Sequence, residues 1–585
     1  MKIAEQIVQQ LIDAGVKRIY GVVGDSLNPI VDAVRASGGS TKGGIDWIHV
    51  RHEEAAAFAA GAEAQITGEL AVCAGSCGPG NTHLINGLYD ANRSHAPVLA
   101  IASHIPSVQI GSGFFQETHP DRIFEDASIY NEMVISPEQS PRVFNTAMRH
   151  AIARRGVAVI TLPGDIPGED VVAEAPVLGD LRRGTLVPSA ETIADVAKRL
   201  NKAKNVAIFV GAGVANAHDE VIALADKLQA PIGHSLRGKD FIQYDNPFDV
   251  GMTGLLGYGA AAEGMHDADL MLLLGTDFPY NQFLPDVETI QIDTAAEVMG
   301  RRATNVSLQV EGDIKATIDL LLPQVKRNRS NKFLKSLLKK HKGIVEEAVG
   351  AYAKKPKKKG PIHPEYAASV LDEVAADDAV FTSDTGMCNV WAARYFTPNG
   401  KRRFLGSYWH GSMANAMPQA IGAQFVNQKR QVISLSGDGG LSMLLGELLT
   451  AKMYELPVNI VVFNNSTLGM VKMEQLEQGF EDYGVDVPAV NYADIAKAMG
   501  FYAVRVTDPR ELASAYRKAF DHKGPVLVEV ITDPEALAIP PEVDKDQMVG
   551  FATSMAKIAY NRGAGEAVSI AKSNLRNVKS WRQIL

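Results

Sequence analysis

The sequence predicts an α/β protein made of three doubly wound parallel-sheet domains followed by a C-terminal helical tail. Three observations carry this reading. Short β-rich apolar runs alternate with helix-period segments nearly throughout, the pattern of parallel strands covered by helices. The pattern restarts after about residue 185 and again near residue 362. The chain has 585 residues, and at about 150 residues per domain that is three or four domains.

In the first block (1–180), RIYGVVG (18–24), ELAVCAGS (69–76), APVLAIAS (96–103) and GVAVITLPGD (156–165) read as buried parallel strands. The second (185–335) has NVAIFVGAG (205–213), ADLMLLLGTD (268–277) and ETIQID (288–293). NKFLKSLLKKHKG (331–343) and KKPKKKG (354–360) then form a lysine-rich stretch, read as a solvated link between domains. The third block (355–535) opens at IHPEY (362–366), with strands AVFTSDT (379–385), QVISLSGD (431–438), VNIVVFNN (458–465) and PVLVEVIT (525–532). Residues 536–585 form the tail.

Composition narrows the function classes. Lys plus Arg is 58, Asp plus Glu is 67 and the net charge is −9, which argues against a nucleic-acid binder. Cys73, Cys77 and Cys388 are too few and odd in number for a disulfide framework, so they read as small buried residues in a reducing compartment. The N-terminus MKIAEQIVQQLIDAG reads as an amphipathic helix rather than a signal peptide. No run of 18 apolar residues is found, so no transmembrane helix is expected.

The strongest chemical motif lies in the third block. QVISLSGDGG runs from strand into loop and places Asp438 at a strand's carboxyl end, where such sheets bind ligands. Asn465 follows the next strand in VVFNNSTLG. Together they offer two side-chain oxygens to one hard cation, and Mg²⁺ favours such a pair plus phosphate oxygens. The glycines let backbone approach a diphosphate. By itself Gly-Asp-Gly is also an ordinary turn sequence. In the second block, Gly211 and Gly213 follow a strand but lack the third glycine of a dinucleotide fingerprint.

This GDG…NN pattern resembles the thiamine diphosphate enzymes. The strings RHEEAAAFAAGAEAQ, ELAVCAGSCGPGN, FFQETHP, HGSMANAMPQAIGAQ and ALAIPP resemble the branch that also uses FAD, the pyruvate dehydrogenase (quinone)/pyruvate oxidase family. The resemblance covers roughly residues 1–575. It implies thiamine diphosphate, Mg²⁺ and FAD as cofactors. Glu53 matches the carboxylate beside the cofactor's aminopyrimidine, while its neighbour Glu54 should face elsewhere. Gly411, Ser412 and Met413 match a cofactor-contact stretch, with Met413 as the bulky support. Asp438, Asn465 and the Thr467 carbonyl match the metal ligands. Gly439 and Gly440 would admit the diphosphate, and Leu468, Gly469 and Met470 complete the contact loop. Several relatives carry Phe where this chain has Met470. Phe115 and Gln116 should lie near the cofactor, Phe115 as an apolar wall, and Glu474 near the substrate pocket. For FAD the matching segments are Thr253, Gly254, Leu255 and Leu256; Thr276, Asp277, Phe278, Pro279 and Tyr280; and Asp293, with Gly211 and Gly213.

The reaction implied is oxidative decarboxylation of pyruvate to acetate and CO₂, with electrons passing through FAD to a quinone. The alternatives are a phosphate-dependent pyruvate oxidase making acetyl phosphate and H₂O₂, and acetolactate synthase, which binds FAD without using its redox chemistry. A scaffold that keeps the fold without catalysis is the remaining rival. In this family Glu53 and the GDG unit come from different subunits, so a homo-oligomer is implied, a dimer at least and a tetramer by expectation. In the tail, Val568, Ala571, Leu575, Val578, Trp581 and Leu585 recur at helical spacing, with Lys572, Arg576, Lys579 and Arg582 on the other faces. Such a basic amphipathic helix suits an anionic membrane surface; the competing reading is a helix docked on its own protein. The expected location is cytoplasmic, peripheral on the inner face of the cell membrane.

Overall fold

The computed structural model describes residues 1–179, 184–303, 305–356, 360–538 and 545–574. Three parallel sheets follow one another along the chain, and the C-terminal residues form helices. The first sheet has six strands in the order second-first-third-fourth-sixth-fifth. The third sheet repeats that order. The central sheet has seven strands, parallel except for the short edge pair Asp249–Met252 and Tyr258–Gly259. Strands such as Val206–Val210 and Leu270–Leu274 are buried at every position, as expected when helices cover both faces.

The strands that the apolar pattern does not mark are short or lie at sheet edges. Tyr130–Met133, Val306–Glu311 and Tyr502–Val506 each end a sheet and keep exposed or half-buried positions. Their polar faces hide them from a search for apolar runs.

One helix determines how the outer domains meet. Glu53–Thr67 carries the sequence EEAAAFAAGAEAQIT, and Glu53, Ala55–Glu63 and Ala64 are all buried. It packs against helix Pro79–Arg93 of its own domain and helix Ala416–Val426 of the third. Small residues make the approach possible. A Cβ on Gly87 would lie 2.6 Å from Ala57 Cβ, and one on Gly422 would overlap the Ala59 carbonyl and lie 2.7 Å from its Cα.

One expectation changes in part. The first half of the lysine-rich stretch is not a free link: it forms helix Lys332–Ile344, which buries Leu334 and Leu337 and pairs Lys340 with Glu263 of the central domain. Its lysines mark one solvated face of an amphipathic helix. Of the second half of the stretch, 354–360, residues 357–359 lie outside the described residues. In the tail, helices Lys545–Asn561 and Ala564–Ser573 dock on their own protein, with Ile558 and Ile570 packed against Met473, Leu476 and Leu537. Ser554 Oγ donates to the Leu476 carbonyl at 2.8 Å, and Asn574 Nδ2 to that of Glu535 at 2.7 Å. Val568, Ala571 and Lys572 stay exposed. Leu575, Arg576, Val578, Lys579, Trp581, Arg582 and Leu585 lie outside the described residues. Among the described residues no helix is long and apolar enough to cross a membrane.

Gly422→Val should force the helices Glu53–Thr67 and Ala416–Val426 apart and cost about 2–3 kcal/mol, the range of overpacked cores. Thermal unfolding should show a fall in Tm of several degrees; an unchanged Tm would contradict this packing.

Candidate active site

In the third sheet, adjacent strands Val380–Ser383 and Val432–Gly437 are where the strand order reverses direction. A crevice opens at the carboxyl ends of strands at such a point. Asp384 follows directly on the first of these strands and Asp438 on the second, and the neighbouring strand Asn459–Asn464 leads into Asn465. A cavity of about 80 Å³ lies there, lined by Asp384, Met413, Asp438, Asn465, Thr467 and Met470 among others.

The turn around Asp438 is fixed by its own hydrogen bonds. Asp438 Oδ2 accepts from the Ser466 N–H at 2.9 Å, and its carbonyl accepts from the Tyr492 hydroxyl at 3.1 Å. Ser466 has φ 55°, in the left-handed region, which folds the loop back over the strand end. Asn465 Oδ1 accepts from the Thr467 N–H at 3.2 Å, and the Thr467 carbonyl from Gly469 N–H at 2.9 Å; each oxygen keeps a further lone pair. Burial pushes the Asp438 carboxyl up to about 6. It pushes Asp384 up to about 7, against the pull of an Ala416 N–H that donates to Asp384 Oδ1 at 2.9 Å. Two carboxyls held away from water are poorly stabilised as anions until a cation reaches them. A carboxylate, an amide oxygen and a backbone carbonyl form the donor set of a hard cation. Gly439 and Gly440 begin the next helix, where a Cβ would be 2.7 Å from Leu468 Cδ2 or overlap the Asp384 carboxylate. Asp384 was not marked by the sequence reasoning. Its signal is a weaker form of that of Asp438: an Asp directly after an apolar strand, with a glycine two residues on rather than next to it.

The cofactor-contact stretch has mixed exposure. Gly411 is exposed with φ 79°, Ser412 is half-buried, and Met413 lines the cavity. Leu468, Gly469 and Met470 line it too.

Glu53 is placed elsewhere. It opens helix Glu53–Thr67, is 6% exposed, and its Oε2 lies 2.9 Å from His83 Nδ1. His52 caps the helix by accepting from the Glu54 N–H and stacks on His83 with ring centroids 4.2 Å apart. Glu54 turns to Asn86, whose Nδ2 also donates to Ser412 Oγ at 2.8 Å. The backbone N–H groups of Arg51 and His52 both donate to Glu447 at 2.8 Å, which anchors this end of the first domain to the third. Among the described residues, none from the first domain lines the cavity at Asp438. Phe115 is 78% exposed, whereas Gln116 sits half-buried with its Oε1 3.3 Å from Cys77 Sγ. Cys73, Cys77 and Cys388 are all free and buried.

The central domain's reversal point lies between Val206–Val210 and Leu270–Leu274. Here Gly213 N–H donates to the Gly275 carbonyl at 3.0 Å, and a Cβ on Gly211 would be 2.6 Å from Thr276 Cβ. Thr253 is buried, and among the described residues its Oγ1 has no hydrogen-bond partner. Gly254 has φ 101° and faces the Phe278 ring, while Leu255 is partly exposed beside it. Asp277 faces Arg301 at 3.7 Å and Arg302 at 3.5 Å. Pro279 and Asp293 are half-buried, and burial raises the Asp293 carboxyl. This region meets the third domain. Leu256 and Met470 pack on the same third-domain core, and burial, with a smaller push from the exposed Glu474 carboxylate across the boundary, raises the Tyr280 phenol.

Family comparisons match these three units in order. Residues 1–123 match the N-terminal thiamine pyrophosphate binding domain of the thiamine pyrophosphate enzymes, 193–321 their central domain, and 384–530 their C-terminal thiamine pyrophosphate binding domain. The chain is 35% identical over 575 residues to YdaP of Bacillus subtilis, named for a thiamine pyrophosphate-containing protein, covering 98% of this chain and 99% of that one. It is 30% identical over 542 residues to pyruvate oxidase of Lactiplantibacillus plantarum, covering 90% and 87%. It is 29% identical over 564 residues to the acetolactate synthase isozyme 1 large subunit of Escherichia coli, covering 94% and 97%. With a reversal-point cleft carrying Asp438 and Asn465 and a matching domain at each position along its length, the chain belongs to the thiamine pyrophosphate enzyme family.

Proposed function

We propose that this protein oxidatively decarboxylates pyruvate to acetate and CO₂, passing the electrons through FAD to a quinone. One observation supports a thiamine diphosphate site that works beside a flavin: the segment assigned to FAD meets the third domain, with Leu256 and Met470 packed on one core. Because acetolactate synthase is expected to hold FAD in the same place, the oxidative part rests on the extent of the likeness to a pyruvate oxidase. The comparable likeness to acetolactate synthase makes carboligation the rival that the test must separate.

The residues present fit the cofactors. Asp438, Asn465 and the Thr467 carbonyl supply the oxygens for Mg²⁺ and, through it, a diphosphate. The unpartnered Thr253 hydroxyl and the glycine-lined reversal point suit FAD. Bound thiamine diphosphate supplies a nucleophilic carbon and an electron sink for decarboxylation. Met413 would support the bound ring, and Leu468 to Met470 would line its cleft. Glu53 would hold a proton at the aminopyrimidine nitrogen, with its carboxylate fixed by His83. Because no first-domain residue among the described ones lines the Asp438 cleft, we assign its Glu53 to a second copy of the chain, making the enzyme a dimer at least and by expectation a tetramer. The exposed Val568, Ala571 and Lys572 suit a membrane surface, where a quinone would be met, and a peripheral location on the cytoplasmic side follows.

The test is to mix holoenzyme with pyruvate without oxygen and follow flavin absorbance. Bleaching, reversed by a soluble quinone with acetate as product, is expected. Oxidised flavin with accumulating acetolactate would move the protein to the carboligases, and a phosphate requirement with acetyl phosphate as product would make it a phosphate-dependent oxidase. Glu53→Gln should lower kcat by about 10²–10⁴-fold, the usual worth of a positioned acid–base group, while cofactor titration still shows binding; near-normal turnover would remove Glu53 from the chemistry. Asp438→Ala should weaken Mg²⁺–diphosphate binding by at least about tenfold to a hundredfold, the loss that even outer partners of a metal produce. Unchanged affinity in a cofactor titration would contradict the ligand assignment.

A further inference from the structure

Helix Lys332–Ile344 carries a dense run of positive charge. Between residues 326 and 342, eight of seventeen residues are Lys or Arg and none is Asp or Glu, in a chain whose net charge is −9. Lys332, Lys335, Lys339 and Lys342 recur at i, i+3, i+7 and i+10, which lines all four along one face over about 15 Å. All four are exposed, while Leu334 and Leu337 sit in the core on the other side. Neighbouring cations find acids: Lys340 pairs with Glu263, Arg327 with Asp226 at 2.6 Å, and Lys342 lies 3.8 Å from Glu346. Among the described residues, Lys332, Lys335 and Lys339 have no such partner. Like charges three and four apart repel along a helix, so an anionic surface laid against this face relieves a cost that the isolated protein carries.

The same helix packs on the part of the central domain assigned to FAD. Leu337 packs with Val250, Ala260 and Ala261. His341 seats against Gly251 and Gly259: a Cβ would lie 3.1 Å from His341 Cε1 at the first and overlap its Nδ1 at the second. His341 Nε2 is also 3.9 Å from Asp249 Oδ2. These residues belong to the antiparallel pair Asp249–Met252 and Tyr258–Gly259, and the loop joining its strands holds Thr253 to Leu256. One helix thus carries the lysine row outside and presses its inner side on the hairpin that bears the flavin segment.

We propose that the row from Lys332 to Lys342 is the surface by which the central domain docks on an anionic lipid bilayer, carrying the flavin segment close to that bilayer. This rests on the functional reading above, in which flavin electrons leave for a membrane quinone. A lipid leaflet fits the row better than a nucleic acid does. The row is lysine throughout, whereas arginine is the residue suited to planar recognition of phosphate. The exposed residues of the helix are Lys332, Lys335, Ser336, Lys339, Lys340 and Lys342, with no aromatic among them on which a base could stack. Nor is any of them apolar, so the contact is electrostatic, without insertion, and weakens with salt.

The experiment measures co-sedimentation of the holoenzyme with phosphatidylcholine vesicles, with and without phosphatidylglycerol, across a KCl series. It compares wild type, Lys332→Glu/Lys335→Glu/Lys339→Glu, the corresponding triple arginine variant and Lys572→Glu in the tail. Pyruvate-driven reduction of a soluble quinone and Tm are read alongside. Wild type should bind the anionic vesicles alone, and less as KCl rises. The glutamate variant should lower the partition coefficient by about a hundredfold or more, at about fivefold per lysine beside an anionic leaflet, with soluble-quinone turnover and Tm unchanged. The arginine variant should bind like wild type. Equal binding by wild type and the glutamate variant, loss of binding only in Lys572→Glu, no binding by wild type, or equal binding to neutral vesicles overturns this proposal alone when soluble-quinone turnover is intact. Retention of wild type on double-stranded DNA in preference to the vesicles also overturns it. A wild type that binds as expected yet reduces no quinone with pyruvate overturns the functional reading and the flavin part of the proposal, and leaves the lysine row a lipid surface.

Discussion

The close approach of helix Glu53–Thr67 to two other helices is the constraint on which the site depends. Its alanines press against Pro79–Arg93 on one side and Ala416–Val426 on the other, with Gly87 and Gly422 where a Cβ would collide. Such contact is dispersion-rich and steeply sensitive to one added carbon. It fixes the first residue of the helix, Glu53, on a surface shared by the outer domains. Two hydrogen bonds from Arg51 and His52 to the buried Glu447 hold the same end. Ala416–Val426 follows directly on the Gly411–Met413 stretch, so the same packing that seats Glu53 also seats Met413.

Electrostatics then gives the cleft its preference. Asp384 and Asp438 are both buried at the ends of neighbouring strands, and both carboxyls are pushed upward, to about 7 and about 6. Backbone N–H groups of Ala416 and Ser466 offset only part of the cost of burying these two carboxylates, and among the described residues no cation pairs with either. A divalent cation reverses that balance by supplying the missing opposite charge. The repetition of one strand order in the first and third domains sharpens the contrast. In the third domain the reversal point holds a cavity lined by Asp384 and Asp438; in the first, Ser76 packs on Gly24 and the Cys77 N–H donates to Ser26 Oγ. The same fold thus yields one site for a metal and one for rigid placement of side chains.

Much of this was legible in the sequence, because fully buried parallel strands write themselves as apolar runs. QVISLSGD and VNIVVFNN located Asp438 and Asn465 within a residue of their strand ends. Edge strands such as Tyr502–Val506 left no comparable mark, since their outer faces are polar. The lysine-rich run misled for a related reason. Charge on one face of Lys332–Ile344 masked Leu334 and Leu337 on the other. In the tail, the stripe through Val568 and Ala571 is regular, yet Ile570, between them, is the residue that packs. Asp384 escaped notice because a single Asp-Thr-Gly carries less signal than Gly-Asp-Gly-Gly. The Cys77–Gln116 contact joins residues 39 apart, which no local pattern reveals.

The central claim is that a working site needs the Asp438 cleft of one chain and Glu53 of another. Co-expressing Glu53→Gln and Asp438→Ala chains with different tags, and purifying the mixed dimer through both tags, tests it directly. A mixed dimer holds one site with both residues intact and one with neither, so it should recover about half of wild-type activity, as a two-fold symmetric arrangement requires. A mixed dimer no more active than either parent would place Glu53 and Asp438 in the same chain's site and contradict the account.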